Sequence, residues 1–290
     1  MISDITLGQF FPGHSFIHRL DPRTKILSAL IYIVAIFVAN TPGSFAVLTL
    51  TTLLFVFISK ISLKVIVKGI KPIIFILIFT AIINVLLTGG NGEPLLSFWI
   101  IEIYKEGIIK AAFMALRVIL LIIGTSTLLT YTTSPISLTD GIESLLSPLK
   151  KVKVPVHIFA MMMTIALRFI PTLVEETEKI MNAQKSRGAD FSSGGLIKRA
   201  KALVPILIPL FVAAFKRAEE LATAMECRCY RGDKNRTKMK KLQFTGKDFV
   251  ALFFVALILA VVIFSRFIPD IINVEHIVLS VLFYNVGGNA

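Results

Sequence analysis

The sequence predicts an all-α protein that crosses a membrane with about five or more helices and carries a cytoplasmic pair of long helices. Of its 290 residues, 55% are hydrophobic and 23 are phenylalanine. So much apolar surface cannot be buried inside a soluble domain of this length. The apolar residues fall in long runs, and lysines and arginines gather between those runs. This pattern indicates a multi-pass protein of the cell membrane.

The first two predicted spans form a helical hairpin. Asp21 precedes Pro22, which marks a helix start because the carboxylate can accept from free N–H groups and proline is tolerated in the first turn. Residues 26–59 contain no charge, and the turn-forming residues 40–44 divide them in two. Each half is short beside the roughly 20 residues that a span requires. Arg23 and Lys25 place the start of the first span, and with it the N-terminus, in the cytoplasm.

The next two predicted spans follow a lysine-rich connector. Lysines 60, 64, 68 and 71 place this connector in the cytoplasm, and the third span runs from Pro72 to about Thr88. The connector after it is predicted to be external, with Trp99 at the membrane interface. The fourth span covers residues 111–131 and completes an N-terminal membrane domain at residues 1–133. Arg117 within it either snorkels towards the external interface or pairs inside the bundle.

Residues 134–247 are predicted to form a cytoplasmic or interfacial domain built on the two long helices. This region holds most of the 31 lysines and arginines of the chain but only about half of its 18 carboxylates. Residues 154–165 and 203–215 are strongly apolar before each helix becomes amphipathic, so these halves are expected to dip along or into the membrane boundary. Pro205 and Pro209 are expected to bend the second helix.

The C-terminal membrane segment is predicted at residues 248–290. A last span covers residues 249–265, and residues 277–286 are too few to span a membrane. No lysine or arginine follows Arg266, so the C-terminus is predicted to be external. The positive-inside rule therefore places every lysine-rich segment on the same side of the membrane, the cytoplasmic side.

Each long helix ends in an arginine between two small residues. The two motifs are Ser186-Arg187-Gly188 and Cys227-Arg228-Cys229. A helix C-terminus suits a cation, and the guanidinium is a rigid donor fork for a partner's carboxylate. One basic residue near a helix end is ordinary; two matching copies in one basic region favour a binding site. The cysteines are interpreted as small residues that permit close approach, because two thiols cannot complete a structural zinc site. No metal or cofactor is predicted.

Four stretches in this order resemble the transmembrane T component of energy-coupling factor transporters, the CbiQ family. They are the runs Gly13 to Lys25, Leu167 to Pro171, Ala183 to Gly188 and Ala224 to Tyr230. In that family both short motifs usually read Ala-Arg-Gly, so Ser186 and the two cysteines depart from the pattern.

The resemblance implies a scaffold with two coupling helices that is not itself an enzyme. It would join two cytoplasmic ATPase subunits of the ATP-binding-cassette type to a membrane-embedded S subunit that captures the substrate, a vitamin or a transition-metal ion. Arg187 and Arg228 would each anchor in a groove of one ATPase. The lipid bilayer would surround the spans.

Other functions have weaker support in the sequence. A self-contained secondary transporter calls for inverted repeats or broken helices near the midplane, and an intramembrane enzyme calls for clustered His, Asp or Glu; neither is evident. The chain has no Walker A sequence with which to hydrolyse ATP itself. The net charge of +13 does not predict a nucleic-acid partner, because the basic residues coincide with cytoplasmic segments.

Overall fold

The computed structural model describes residues 10–88, 96–98, 101–189, 191, 195–232 and 242–267. These residues are almost entirely helical, which confirms the all-α class. The eight α-helices are α1 Pro22–Val38, α2 Pro42–Ser59, α3 Leu63–Leu87, α4 Lys105–Thr125, α5 Pro135–Leu145, α6 Val156–Ser186, α7 Leu196–Cys227 and α8 Gly246–Phe267. A π-helical turn, Ser126–Thr130, continues α4, and a 3-10 segment, Ser147–Val152, follows α5.

A short β-hairpin interrupts the predicted external connector. Strand β1, Leu96–Phe98, pairs antiparallel with β2, Ile101–Ile103. The sequence analysis did not predict it, since three residues are too few for a period-two pattern to be recognised. Trp99, predicted to lie at the membrane interface, falls outside the described residues.

The chain divides into two compact units. The bundle unit comprises Phe10–Gly141 with Leu242–Ala290, and the two-helix unit comprises Met1–Gln9 with Ile142–Lys241. Helices α1 to α4 and α8 belong to the bundle unit, and α6 and α7 belong to the two-helix unit.

Within the described residues, five helical stretches are long and apolar enough to cross a membrane: Pro42–Ser59, Leu63–Leu87, Lys105–Thr130, Val156–Ser186 and Gly246–Ser265. Together they confirm a polytopic membrane protein with about five spans. Their membership differs from the prediction, because α1 is not among them and α6 is. At 17 residues, α1 is limited by the proline at its start and by the turn that precedes Pro42.

Helix α1 lies at the centre of the bundle unit. It packs against α8 and α4, and its residues Ala29, Ala35 and Ile36 are almost fully buried. Tyr32 is completely buried, with its hydroxyl oxygen 2.6 Å from Thr52 Oγ1. The same hydroxyl donates to Leu120 O at 3.1 Å, so one side chain ties α1 to both α2 and α4. A hydrogen bond made in lipid-like surroundings has no water competing for it.

The N-termini of α1 and α8 share one buried carboxylate. Asp21 caps α1 by accepting from Arg23 N–H at 2.9 Å, which confirms the predicted helix start. Asp248 Oδ1 accepts from Asp21 N–H at 2.8 Å, while its Oδ2 accepts from Thr245 N–H at 2.8 Å. Asp248 is 1% exposed, and these two bonds satisfy donors that would otherwise be stranded at two helix starts.

Helix α3 begins earlier than predicted. Lys64, Lys68 and Lys71 lie inside the helix, and only residues 60–62 separate it from α2, so the predicted lysine-rich connector is wrong. Lysine is a good helix former, and α3 continues through Pro72, which the sequence analysis had placed at the start of the span.

Arg117 hydrogen-bonds to the turn between α1 and α2 within the bundle unit. Its Nη2 donates to Ala39 O at 2.5 Å and to Asn40 Oδ1 at 3.3 Å, and the guanidinium lies 5.4 Å from the centroid of the Phe45 ring. Ala39 is the C-cap of α1, where the helix leaves free carbonyls with partial negative charge. The cation therefore closes the end of the central helix.

We predict that Gly124→Ala lowers the stability of the bundle unit by about 1–3 kcal/mol, the usual cost of overpacking a filled core. A Cβ at this position would clash with Cε1 of the buried Tyr32 ring. Thermal unfolding of the purified chain in detergent measures the change. Gly246→Ala is the control, because nothing lies within 4 Å of its added Cβ. Equal melting temperatures for the two variants would contradict the assigned packing.

Candidate functional site

The candidate site is formed by the C-terminal ends of α6 and α7. These helices have 31 and 32 residues, so each is about 46–48 Å long at 1.5 Å per residue. Each helix is amphipathic, with apolar residues on one face and charged residues on the other. The charged residues include Glu175 and Glu178 on α6 and Lys216 and Glu219 on α7. Pro205 and Pro209, predicted to bend α7, both lie within one continuous helix.

Helix α6 ends in a Schellman motif with Arg187 as its C-cap residue. The Gly188 N–H donates to Lys185 O at 2.9 Å, and the Ala189 N–H donates to Gln184 O at 3.0 Å. Gly188 has φ +85°, the left-handed conformation that this motif requires. The backbone therefore satisfies the last carbonyls of the helix without any side chain.

Helix α7 ends in the same way, with Arg228 as its C-cap residue. The Cys229 N–H donates to Glu226 O at 2.8 Å, and the Tyr230 N–H donates to Met225 O at 3.0 Å. Cys229 adopts φ +56° at the position that Gly188 occupies in α6. Cys229 thus replaces glycine at the one position of the motif that requires the left-handed conformation, which any side chain makes less favourable.

All six residues of the two arginine motifs are exposed: Ser186, Arg187, Gly188, Cys227, Arg228 and Cys229. Both cysteines are free thiols. Among the described residues, neither motif arginine has an ion-pair partner, whereas Arg217 on the same helix as Arg228 has one. Two guanidinium groups thus stand at helix ends with their donors available to another molecule.

An ion pair joins the two helices at matching positions. Arg217 Nη2 lies 2.5 Å from Glu176 Oε2. Arg187 stands 11 residues after Glu176, and Arg228 stands 11 residues after Arg217. Each arginine tip therefore lies about 16 Å beyond the same ion pair, measured along its own helix. The sequence analysis did not pair these residues, because two charged positions on separate amphipathic helices carry no signal of their register.

A second polar contact holds the start of α6. His157 Nδ1 lies 2.8 Å from Glu143 Oε1, and Glu143 is 6% exposed. The sequence analysis found no cluster of His, Asp or Glu and missed this pair, which joins the end of α5 to the first turn of α6. Across the described part of the chain, no three His, Cys, Asp or Glu side chains group together as metal ligands would.

The chain was compared with protein-family models and with known relatives. The family model CbiQ, described as "Cobalt transport protein", matches residues 13–239. A protein of Clostridium kluyveri named "Energy-coupling factor transporter transmembrane protein EcfT" is 55% identical over 266 residues, covering 92% of this chain and 98% of the relative. Proteins with the same name from Ruminiclostridium cellulolyticum and Bacillus subtilis are 57% and 47% identical, covering 86% and 92% of this chain and 92% and 100% of the relatives.

These matches cover both units described above, including α1 to α7 and both arginine motifs. Each relative is named as a membrane component of a transporter. The helical composition and the five candidate spans agree with that description. The chain belongs to the CbiQ family, as a transmembrane component of energy-coupling factor transporters.

Proposed function

We propose that this chain is the coupling scaffold of an importer, which links two ATP-binding-cassette ATPase subunits to a membrane-embedded S subunit. This proposal rests on the matching C-terminal ends of α6 and α7. Two helices stop with the same backbone motif, and each presents one exposed arginine at the C-cap. ATP hydrolysis would take place in the ATPases, and substrate capture would take place in the S subunit, for a vitamin or a transition-metal ion.

Each arginine tip would enter a groove of one ATPase. The planar guanidinium can donate two parallel hydrogen bonds to one carboxylate, a geometry that lysine cannot provide. Because the backbone already caps the helix, the side chain of Arg187 or Arg228 is not needed for its own helix end. Ser186 and Gly188 on one tip, and Cys227 and Cys229 on the other, are small enough for the walls of a groove to approach the backbone.

The two tips would move together when the ATPases close on ATP. The Glu176–Arg217 pair fixes one point on each helix at the same distance from its tip. Continuous helices transmit displacement as rigid elements, so movement at the tips would reach the opposite halves of α6 and α7. On the N-terminal side of Arg217, Leu207, Phe211 and Phe215 of α7 are about 60% exposed, and we assign this apolar surface to the S subunit.

The proposed orientation counts α1, α2, α3, α4 and α8 as the spans and leaves α6 at the membrane boundary. It has the N-terminus and the two arginine tips in the cytoplasm and the C-terminus outside. The positive-inside rule supports it, because lysines and arginines concentrate in residues 134–247 and are missing after Arg266.

The first prediction from this proposed function concerns the two anchors, Arg187 and Arg228. Arg187→Ala and Arg228→Ala should each weaken retention of the ATPases by about 2–5 kcal/mol, the usual loss when one partner of a buried charge pair is truncated, and the double variant should retain neither subunit. Arg187→Lys and Arg228→Lys should behave like the alanine variants rather than like the wild type. Co-purification of the ATPases from detergent and ATP-driven uptake in liposomes measure both effects.

Lys216→Ala is the matched control for this experiment. It removes one exposed positive charge from α7 without touching a tip. Arg217 is unsuitable as a control, because its side chain holds the ion pair between the helices. Full ATPase retention by the double alanine variant, or an equal loss in the Lys216 variant, would show that the tips are not the anchors. Uptake by this chain alone would instead favour a self-contained transporter.

The second prediction concerns the strained end of α7. Cys229→Gly should slow amide hydrogen exchange at residues 229 and 230 about fivefold, since glycine relieves roughly 1 kcal/mol of left-handed strain. Cys229→Val should speed it, because a β-branched residue tolerates positive φ poorly. Cys227→Ala should leave exchange unchanged, because residue 227 is helical. Exchange that does not differ between the Gly and Val variants would contradict the cap.

The third prediction tests the orientation with the native thiols. In cells that produce this chain without the ATPases, a membrane-impermeant maleimide should leave Cys227 and Cys229 unlabelled while the cells are intact and label both exposed thiols after permeabilisation. In a variant lacking both cysteines, Glu106→Cys in the first turn of α4, which this orientation places outside, should be labelled in intact cells. Labelling of the native thiols in intact cells would reverse the proposed orientation.

A further inference from the structure

A cleft with polar and basic side chains in part of its lining lies where the N-terminal segment meets the turn between α2 and α3. Its volume is about 390 Å³, and its lining includes His14, Ser15, His18, Lys60 and Ser62. Lys60 ends α2 in the left-handed conformation, and Ser62 precedes the first residue of α3. The cleft therefore lies where one candidate span ends and the next begins.

The two segments around this cleft carry positive charge only. Residues 10–20 and 59–71 contain Arg19 and four lysines and no aspartate or glutamate. Lys60, Lys64, Lys68 and Lys71 are all exposed, and no ion pair involves any of them among the described residues. Four cations without a carboxylate repel one another, so an anion beside them would be stabilised.

The lysines of α3 form a stripe that faces away from the rest of the bundle unit. Lys64, Lys68 and Lys71 recur at i, i+4 and i+7, so they share one face of the helix. Ile66 is the buried residue of α3, and it lies on the opposite face of the helix. The stripe is thus directed towards the surroundings of the protein.

The same face of α3 becomes apolar beyond the lysines. Phe75, Ile78 and Ile82 follow Lys71 in helical register, and they are 78%, 53% and 52% exposed. A cationic stripe at the membrane edge followed by an exposed apolar stripe matches the two parts of a phospholipid, a charged head and an acyl chain. A protein partner would match the charge, but the apolar continuation along a candidate span suits lipid.

We propose that the cleft and the lysine stripe bind an anionic phospholipid, with its phosphate and headgroup at Lys60, Lys64 and Lys68 and an acyl chain along Phe75 and Ile82. The lipid is recognised by charge and by depth in the membrane. This site is separate from the arginine tips and does not depend on the ATPase partners.

His18 forms a neutral wall of the cleft. Its Nδ1 lies 2.6 Å from Ser15 Oγ and its Nε2 lies 3.0 Å from Phe11 O, so both ring nitrogens are engaged within the segment. Burial lowers the pKa of His18, which favours the neutral ring. The charges that meet the headgroup are therefore those of the lysines.

The test measures binding of dioleoyl phosphatidylglycerol and dioleoyl phosphatidylcholine to the purified full-length chain by native mass spectrometry in a non-ionic detergent. The wild type should prefer the anionic lipid by about tenfold, as expected for several lysines at a headgroup. Lys60→Gln/Lys64→Gln should remove most of that preference, and Lys60→Arg/Lys64→Arg should keep it, since the charge remains. Millimolar inorganic phosphate should not compete, because it lacks the acyl chain.

The matched control is Lys110→Gln/Lys247→Gln, which removes two exposed lysines near the ends of other membrane helices. Its preference should equal that of the wild type. An equal loss in this control, or an unchanged preference in the Lys60 and Lys64 glutamine variant, would overturn the proposal. So would loss of a protein subunit from the assembled transporter without any change in lipid binding, because the lysines would then serve a protein partner.

Discussion

The structure depends on how its helix ends are satisfied. A helix leaves four N–H groups and four carbonyls without partners, and the membrane interior offers no water to bind them. In the bundle unit these groups are met by side chains from distant parts of the chain. Asp248 serves the starts of α1 and α8 together, and Arg117 closes the end of α1. The short central helix is therefore held at both ends.

In the two-helix unit the helix ends are closed by backbone groups instead of side chains, and this leaves the motif arginines available to a partner. The ends of α6 and α7 are closed by their own backbone, through bonds to Gly188 and Ala189 in one and to Cys229 and Tyr230 in the other. A side chain that closed a helix end, as Arg117 of α4 closes the end of α1, would be occupied. Closure by the backbone leaves Arg187 and Arg228 exposed at rigid positions, where a partner can approach them.

The sequence contained the local features of this structure but not their pairing. Apolar runs, the Asp21-Pro22 start and the two arginine tips could be predicted, because each depends on residues within one or two helical turns. Asp248 and Asp21 are 227 residues apart, and Glu176 and Arg217 lie on separate helices, so nothing local identified them as partners. The start of α3 was misplaced because Lys64, Lys68 and Lys71 were assigned to a loop, although lysine favours helices and can extend its charge to the interface.

The two tips lie at equal distances from the Glu176–Arg217 pair, so a difference in how tightly they bind the ATPases would not come from a difference in how far they move. Both arginines lie 11 residues beyond that pair, so rotation about it would move the two tips by similar amounts. The tips differ instead at the residue after the arginine, where Gly188 adopts positive φ freely and Cys229 does so against the preference of a side chain. An asymmetry between the two anchors would therefore arise from the local stability of the α7 end, while the geometry that links the tips stays symmetric.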